Sequence, residues 1–208
     1  MKITIISASQ RHKSNSQSMK VARYMSQMLI DKYVAKDEGV EIISLSDKPY
    51  PLWDEGIWDG EKEWSEVLAP IVEKLSTSDA FIFIVPEYHG MAPAALKNFL
   101  LMHNRHQIGH KPVLLIGVSS SDGGAYPLAE LRMNSAKNNR LCYIPEQLVI
   151  RHVESVLNDK TSENNVDADT YFKDRIQYAL GILEQYAIAL KGIRESGVTA
   201  TEAFNNGM

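Results

Sequence analysis

One cysteine, Cys142, occurs in 208 residues, so no disulfide can form within the chain and no cysteine-rich zinc site can be built. A single thiol in a chain of this length reads as a buried apolar side chain rather than a nucleophile, and it fits a reducing compartment. No apolar run reaches membrane-spanning length, and the apolar strand at the start is not preceded by a charged leader. Neither a membrane span nor secretion is expected, and the expected location is the cytoplasm. Charge of one sign is also scarce: a net charge of -4 and a pI near 5.9 exclude a broad nucleic-acid-binding surface while leaving room for a local basic pocket. Internal repeats, low-complexity segments and a second domain are lacking.

What is present is a hydrophobic content of 44%, enough for one sizeable core. Ile3, Ile5 and Ile6 form a short β-branched run that enters a polar loop. After it, Val21, Tyr24, Met25, Met28 and Leu29 fall on one helical face, with Ser16 or Ser18 as a cap. Val40 to Leu45 reads as a second strand, and Pro49 to Gly60, which contains Trp53 and Trp58, as an irregular loop. Trp64, Val67, Leu68, Ile71, Val72 and Leu75 repeat the helical spacing, with a kink expected at Pro70. AFIFIV, Ala80 to Val85, has the continuous apolarity of a strand covered on both faces. A helix over Ala94–Met102, a strand over Val113–Val118, a helix over Leu128–Asn138, a strand over Cys142–Ile150 interrupted near Pro145, and a helix over Asp167–Lys191 complete the alternation. The pattern predicts a five-stranded doubly wound parallel sheet with helices on both faces, one domain over residues 1–197, and a flexible tail over 198–208.

In such a sheet ligands bind beyond the carboxyl ends of the strands, at the switch in strand order. Three loops lie there. Residues 9–18 carry neither the GxGxxG fingerprint nor the GxxxxGK[ST] phosphate loop; hydroxyls stand where those motifs have glycines. Ser9, Ser16, Gln17 and Ser18, the first amides of the next helix and the fixed charge of Arg11 suit one terminal phosphate. The alternative is a solvated loop with ordinary helix capping. The second loop, Pro86-Glu87-Tyr88-His89-Gly90, suits a rigid turn against which a flat ring can lie; an acid/base pair of Glu87 and His89 lacks a third, orienting group. The third, SSSDGG, offers Ser119 and Ser120 hydroxyls and close backbone approach at Gly123 and Gly124. A phosphate at one end and a planar hydrogen-bonding ring at the other describe a mononucleotide such as FMN.

These residues also carry a likeness. SxSxR, then SQSxKVA, then PEYHGMAPAALKNFL, then KPVLLIGVSSSDGG with Leu131-Arg132 in the following helix resemble the NADPH-dependent FMN reductase family of flavodoxin-like proteins, over about Lys2 to Val156. The most specific part, Pro86 to Asn98, is similar to the family's PEYN-x-x-x-PG-x-LKN signature. Ala8 and Ala94 stand where glycines are usual, His89 stands for asparagine, and the spacing from Arg11 to Ser16-Gln17-Ser18 is stretched. The resemblance implies a flavodoxin-like fold and an NAD(P)H-dependent FMN reductase or quinone reductase. Ser9, Arg11, Ser16, Gln17 and Ser18 would hold the FMN phosphate, Pro86, Glu87, Tyr88, His89 and Gly90 would line the ring, and Ser119, Ser120, Gly123 and Gly124 would close its pyrimidine side. Hydride would pass from NADPH or NADH to bound FMN and then to flavin, quinone or another small electron acceptor, with no catalytic side chain and no metal.

The same likeness implies a homodimer or homotetramer, with the helix over Ala94–Met102 in the subunit contact; Trp53 and Trp58 suit a neighbouring subunit too. The competing reading is a non-enzymatic flavodoxin-like electron carrier or a flavin-binding regulatory protein. A metal site at His103, His106 and His110 would need one continuous helical face, which Gly109 and Pro112 interrupt.

Overall fold

The apolar runs form five parallel strands in the computed structural model, which describes residues 1–12, 16–33, 39–46, 50–200 and 204. They are β1 (Ile3–Ser7), β2 (Val40–Ser44), β3 (Ala80–Pro86), β4 (Pro112–Val118) and β5 (Cys142–Ile150), in the order β2-β1-β3-β4-β5. β1, β3 and β4 are buried at every residue, which is why their sequences run apolar without alternation. β2 and β5 are the edges. The order reverses between β1 and β3, so the switch point lies at the ends of those two strands.

Between strands lie α1 (Gln17–Lys32), α2 (Gly56–Asp59), α3 (Lys62–Thr77), α4 (Ala94–Met102), α5 (Arg105–Ile108) and α6 (Tyr126–Asn134), and α7 (Val166–Glu195) follows β5. Alternate strand residues face opposite layers. Ile3, Ile5, Ile82, Ile84, Leu114 and Ile116 pack under α1 and α7, with Val21, Met25, Leu29, Ile176, Leu180 and Leu183. Ile6, Phe81, Phe83, Val85, Val113 and Leu115 pack under the other helices, with Leu75, Leu96, Phe99, Ile108 and Leu128. On that second side the buried Lys111 donates to the carbonyls of Leu75, Ser76 and Gln107 at 2.7, 2.8 and 2.7 Å, closing the C-terminal ends of α3 and α5. Burial lowers the Lys111 ammonium to about 8.

Several local expectations change. α3 runs unbroken through Pro70, because that residue is exposed and its missing N–H falls on the solvent side. Within the loop expected to be irregular, α2 forms, and Asp54 accepts from the Gly56 amide and the Trp64 indole at 3.0 and 2.9 Å; Pro49 lies outside the described residues. α6 starts at Tyr126, with Pro127 in its first turn, and stops at Asn134, short of the expected Asn138. The Ser135 hydroxyl ends it by donating to Leu131 O at 2.6 Å, and pairs with the Tyr143 hydroxyl at 2.5 Å. The interruption expected at Pro145 is a bulge: Val113 pairs with Tyr143 but Leu115 with Gln147. Arg132 holds it, donating to Ile144 O at 2.6 Å and Gln147 Oε1 at 2.8 Å. α7 is longer than expected at both ends, and most of the expected tail, 201–203 and 205–208, lies outside the described residues. Among the described residues no helix is long and apolar enough to cross a membrane.

Candidate functional site

The three loops meet at the carboxyl edge because β3 lies between β1 and β4. After β1, the Ala8 amide still bonds Ile84 O at 2.9 Å, so the chain leaves the sheet only at Ser9. The Ser9 hydroxyl is buried; it accepts from the Arg11 amide at 3.2 Å and pairs with the Tyr88 hydroxyl at 2.9 Å. The first loop is thereby tied to the second. Arg11 is exposed, and residues 13–15, which set its spacing to α1, lie outside the described residues.

Ser16 is the N-cap of α1, accepting from the Met19 amide at 3.4 Å. The amides of Gln17 and Ser18 have no intrahelical acceptor, and no acidic residue stands in the first turn. The amide oxygen assigned to Gln17 is buried without a partner among the described residues; rotated by 180°, the same group presents an N–H. Donor-rich, acid-free and at a helix N-terminus, this corner fits an anion. Lys20, one turn on, does not point charge at it. Its ammonium donates to Val153 O, Val156 O and Asn158 Oδ1 at 2.6, 2.8 and 2.8 Å, strapping α1 to the segment after β5.

The second loop is a tight turn. Tyr88 and Met91 exchange both backbone hydrogen bonds, at 3.1 and 2.9 Å, and His89 and Gly90 have φ of 52° and 78°. Two successive left-handed residues are the mark of a type I′ turn, where asparagine and histidine are among the few side chains tolerated. This explains why histidine can stand at the family's asparagine position. Beyond the turn, Glu130 of α6 accepts from the Ala92 amide and from Lys97, both at 2.8 Å, and these bonds hold its carboxyl below the usual range. Asn98 accepts from the Trp53 amide and donates to Pro51 O, both at 2.8 Å. The LKN run therefore consists of a core leucine, a lysine that ties α4 to α6 and an asparagine that pins the tryptophan loop.

The third loop is clasped by Glu87, whose carboxylate accepts from the Gly124 amide at 2.5 Å. A Cβ on Gly123 would lie 2.8 Å from that carboxylate, and one on Gly117 would lie 2.2 Å from Gly124 O. Gly124 itself has φ of +99°, so glycine is required there on two counts. With its carboxylate engaged on this backbone, Glu87 forms no acid/base pair with His89. Ser119 donates its amide to Ile150 O at 3.0 Å and its hydroxyl accepts from the Ser121 amide at 3.1 Å, while Ser120 is exposed. Arg151 donates to Gly123 O at 3.1 Å and His152 meets Asp122 at 2.9 Å, so the end of β5 also supports this loop.

Thus Ser9 with Tyr88, and Glu87 with Gly123 and Gly124, are brought together, whereas Arg11 and Ser120 stay at the surface. Lys20, Glu130, Arg151 and the clasp made by Glu87 were missed from sequence. Only the turn carried a local signal, a histidine–glycine pair in a loop. The three histidines considered for a metal are dispersed: His103 follows α4, His106 lies within α5, and His110 has φ of 54°. Among the described residues no group of three His, Cys, Asp or Glu is placed to hold a metal ion. A separate cavity of about 890 Å³ lies between the tryptophan loop and the outer side of α4 and α6, lined by Trp53, Trp58, Lys97, Leu101, His103 and Asn139 among others.

The family described as NADPH-dependent FMN reductase matches residues 1–155. An FMN-dependent NADPH-azoreductase of Staphylococcus aureus is 32% identical over 120 residues, which make up 57% of this chain and 62% of that protein. Among solved structures, the flavoenzyme NAD(P)H:(acceptor) oxidoreductase of Paracoccus denitrificans superposes with a TM-score of 0.65 at 18% identity, over 92% of this chain and 97% of the other. An FMN-dependent NADH-azoreductase of Bacillus anthracis, in complex with FMN, gives 0.55 at 18% identity, over 91% and 99%. At these identities the structures establish a shared flavodoxin-like fold.

Proposed function

The chain belongs to the NADPH-dependent FMN reductase family, and from that premise we propose that it is an FMN-dependent NAD(P)H oxidoreductase. The observation that carries the reading is the carboxyl edge of β1, β3 and β4, where an acid-free helix N-terminus adjoins two backbone turns that other residues lock in place. When bound, FMN supplies the hydride chemistry. The serines 9, 16 and 18, Gln17 and the first amides of α1 hold its phosphate, and Arg11 adds a charge from the loop surface. Pro86 to Gly90 form one wall for the ring; Ser119, Ser120, Gly123 and Gly124 form the other. Glu87 ties those two walls together through Gly124, and Tyr88 ties the first of them to the phosphate loop through Ser9. No proton transfer is assigned to a side chain.

NADPH or NADH is the donor, and a small molecule such as a free flavin, a quinone or an azo compound the acceptor. The protein works in the cytoplasm, consistent with a lone, half-buried thiol whose pKa burial raises. It works as a homodimer through the outer face of α4 and α6, where Leu52, Trp58, Leu101 and Met133 are exposed around the large cavity. The test is the visible spectrum of the purified protein, supplied with FMN, before and after NADPH without oxygen. Bleaching that reverses in air is expected. A bound flavin that both nicotinamides leave oxidised would indicate a carrier or regulator instead, and failure to retain FMN at all would remove the site assignment.

A further inference from the structure

The hydrogen bonds that lock the carboxyl edge form a closed circuit whose last link lies outside the three loops. Ser9 is joined to Tyr88 and Glu87 to Gly124. The third loop is joined in turn to the segment after β5, where the Val153 amide donates to Ser119 O and the Arg151 guanidinium to Gly123 O, both at 3.1 Å. That segment returns to α1 through Lys20, whose ammonium donates to Val153 O, Val156 O and Asn158 Oδ1 at 2.6, 2.8 and 2.8 Å. The phosphate corner and the ring walls are thus connected twice, once along the sheet edge and once around the outside.

Lysine is an unfavourable choice at this position. It is the fourth residue of α1, where a cation opposes the helix dipole. Desolvation also pulls its ammonium below the ordinary lysine value, against the opposing influence of Glu154, Asp169, Asp159 and Glu163. The socket that receives it is built to stay in place. His152 and Leu157, on either side of residues 153–156, have φ of 47° and 57°, conformations that hold only when neighbours enforce them. The enforcement is there: the Leu157 amide donates to Asp169 at 2.8 Å, the Asn158 amide to Asn164 Oδ1 at 3.0 Å, Asn158 Nδ2 to Glu154 O at 2.8 Å and the Asn165 amide to Ser155 O at 2.7 Å. With three acceptors fixed at one end and the start of α1 at the other, the Lys20 side chain is a spacer of set length.

We propose that Lys20 is a positioning residue that sets the distance from the phosphate corner to the ring walls, so that both ends of one FMN are engaged at once. This role rests on the FMN reading above. A ligand with two recognised ends gains affinity from their connection only when the two subsites are held at its span. When the spacing drifts, each subsite keeps its own affinity and the joint gain is lost. Lys20 therefore matters for FMN and not for riboflavin, which has the same ring and no phosphate.

Fluorescence titrations of the full chain with FMN and with riboflavin, at low and at high chloride, test this on the unaltered chain and on Lys20→Met. Lys20→Met should weaken FMN about tenfold at both chloride concentrations and riboflavin by less than about twofold. FMN affinity unchanged in Lys20→Met overturns the role, and so does an equal loss for the two flavins, which would mark a general loosening of the fold. A defect that high chloride removes overturns it as well, because it would mark a charge acting on the phosphate through solvent. Should Lys20→Met fail to fold by far-UV circular dichroism, Lys20→Gln, with a shorter and uncharged donor, carries the same comparison. An unaltered chain that binds neither flavin removes the FMN reading itself, and one that binds FMN no better than riboflavin removes the phosphate corner; the positioning role falls with either.

Discussion

The carboxyl edge of the sheet and the outer face of α4 and α6 adjoin one another, sharing the Lys97–Glu130 pair, yet they are built from opposite materials. The edge uses small residues whose backbone is fixed by partners from other loops: Ser9 by Tyr88, Gly124 by Glu87, and the 88–91 turn by left-handed His89 and Gly90. The outer face uses large side chains left in solvent, among them Trp58 and Met133, around a wide cavity. The difference follows from what each must meet. A small ligand is held by close backbone approach, which demands preorganisation; a protein surface is held by area, which demands apolar side chains.

The contrast can be broken most severely at Gly117. A methyl there meets the Gly124 carbonyl oxygen, a backbone atom that cannot swing aside, at 2.2 Å. Gly117→Ala should destabilise by about 3 kcal/mol in urea unfolding and abolish flavin retention. The outer face has its own weak point in His103, buried against Phe99 with both ring nitrogens unpartnered among the described residues and held by burial at about 4 instead of 6.5. The unfolded chain binds the proton that the folded state refuses, so stability should fall as pH drops from 6.5 toward 4, by about 3 kcal/mol at pH 4. Thermal unfolding against pH should show that slope, and His103→Phe should flatten it.

Smaller changes sharpen the comparison. Glu87→Ala removes the acceptor of the Gly124 amide and should weaken FMN binding by about 1.5 kcal/mol, roughly tenfold, in a fluorescence titration, with Glu87→Gln in between. His89→Ala should cost about 1 kcal/mol in urea unfolding through its left-handed backbone, while His89→Asn should be nearly neutral and leave flavin bound. Met133→Glu, on the outer face, should change fold stability by less than about 0.5 kcal/mol and leave the FMN titration unaltered while reducing the sedimenting mass. Any effect of Met133→Glu on flavin affinity would show that the two regions are coupled through the Lys97–Glu130 pair they share.

The strands buried on both faces were legible because burial on two sides leaves a continuous apolar run, and the helices because their cores repeat at helical spacing. Helix ends were not. Pro70 signalled a break that its exposed position makes unnecessary, and α6 ends where Ser135 meets Tyr143, a pairing between α6 and β5. In the site, Ser9, Ser16 and the glycines could be read locally, since caps and tight turns draw on neighbouring residues. The clasp could not: Glu87 reaches a backbone amide 37 residues away, and Lys20 reaches carbonyls 133 and 136 residues away.

By itself, then, the amino-acid sequence determined the alternation of strands and helices, the chemistry of each loop and the family, because hydrophobic periodicity, turn residues and short signatures act within about a dozen positions. Tertiary structure alone decided which loops close on one another and which helical faces stay open. Those depend on strand order: placing β3 between β1 and β4 sets Tyr88 beside Ser9 and Glu87 beside Gly124, and packing α7 against β4 and β5, beside α1, leaves Tyr171, Tyr178 and Tyr186 outward.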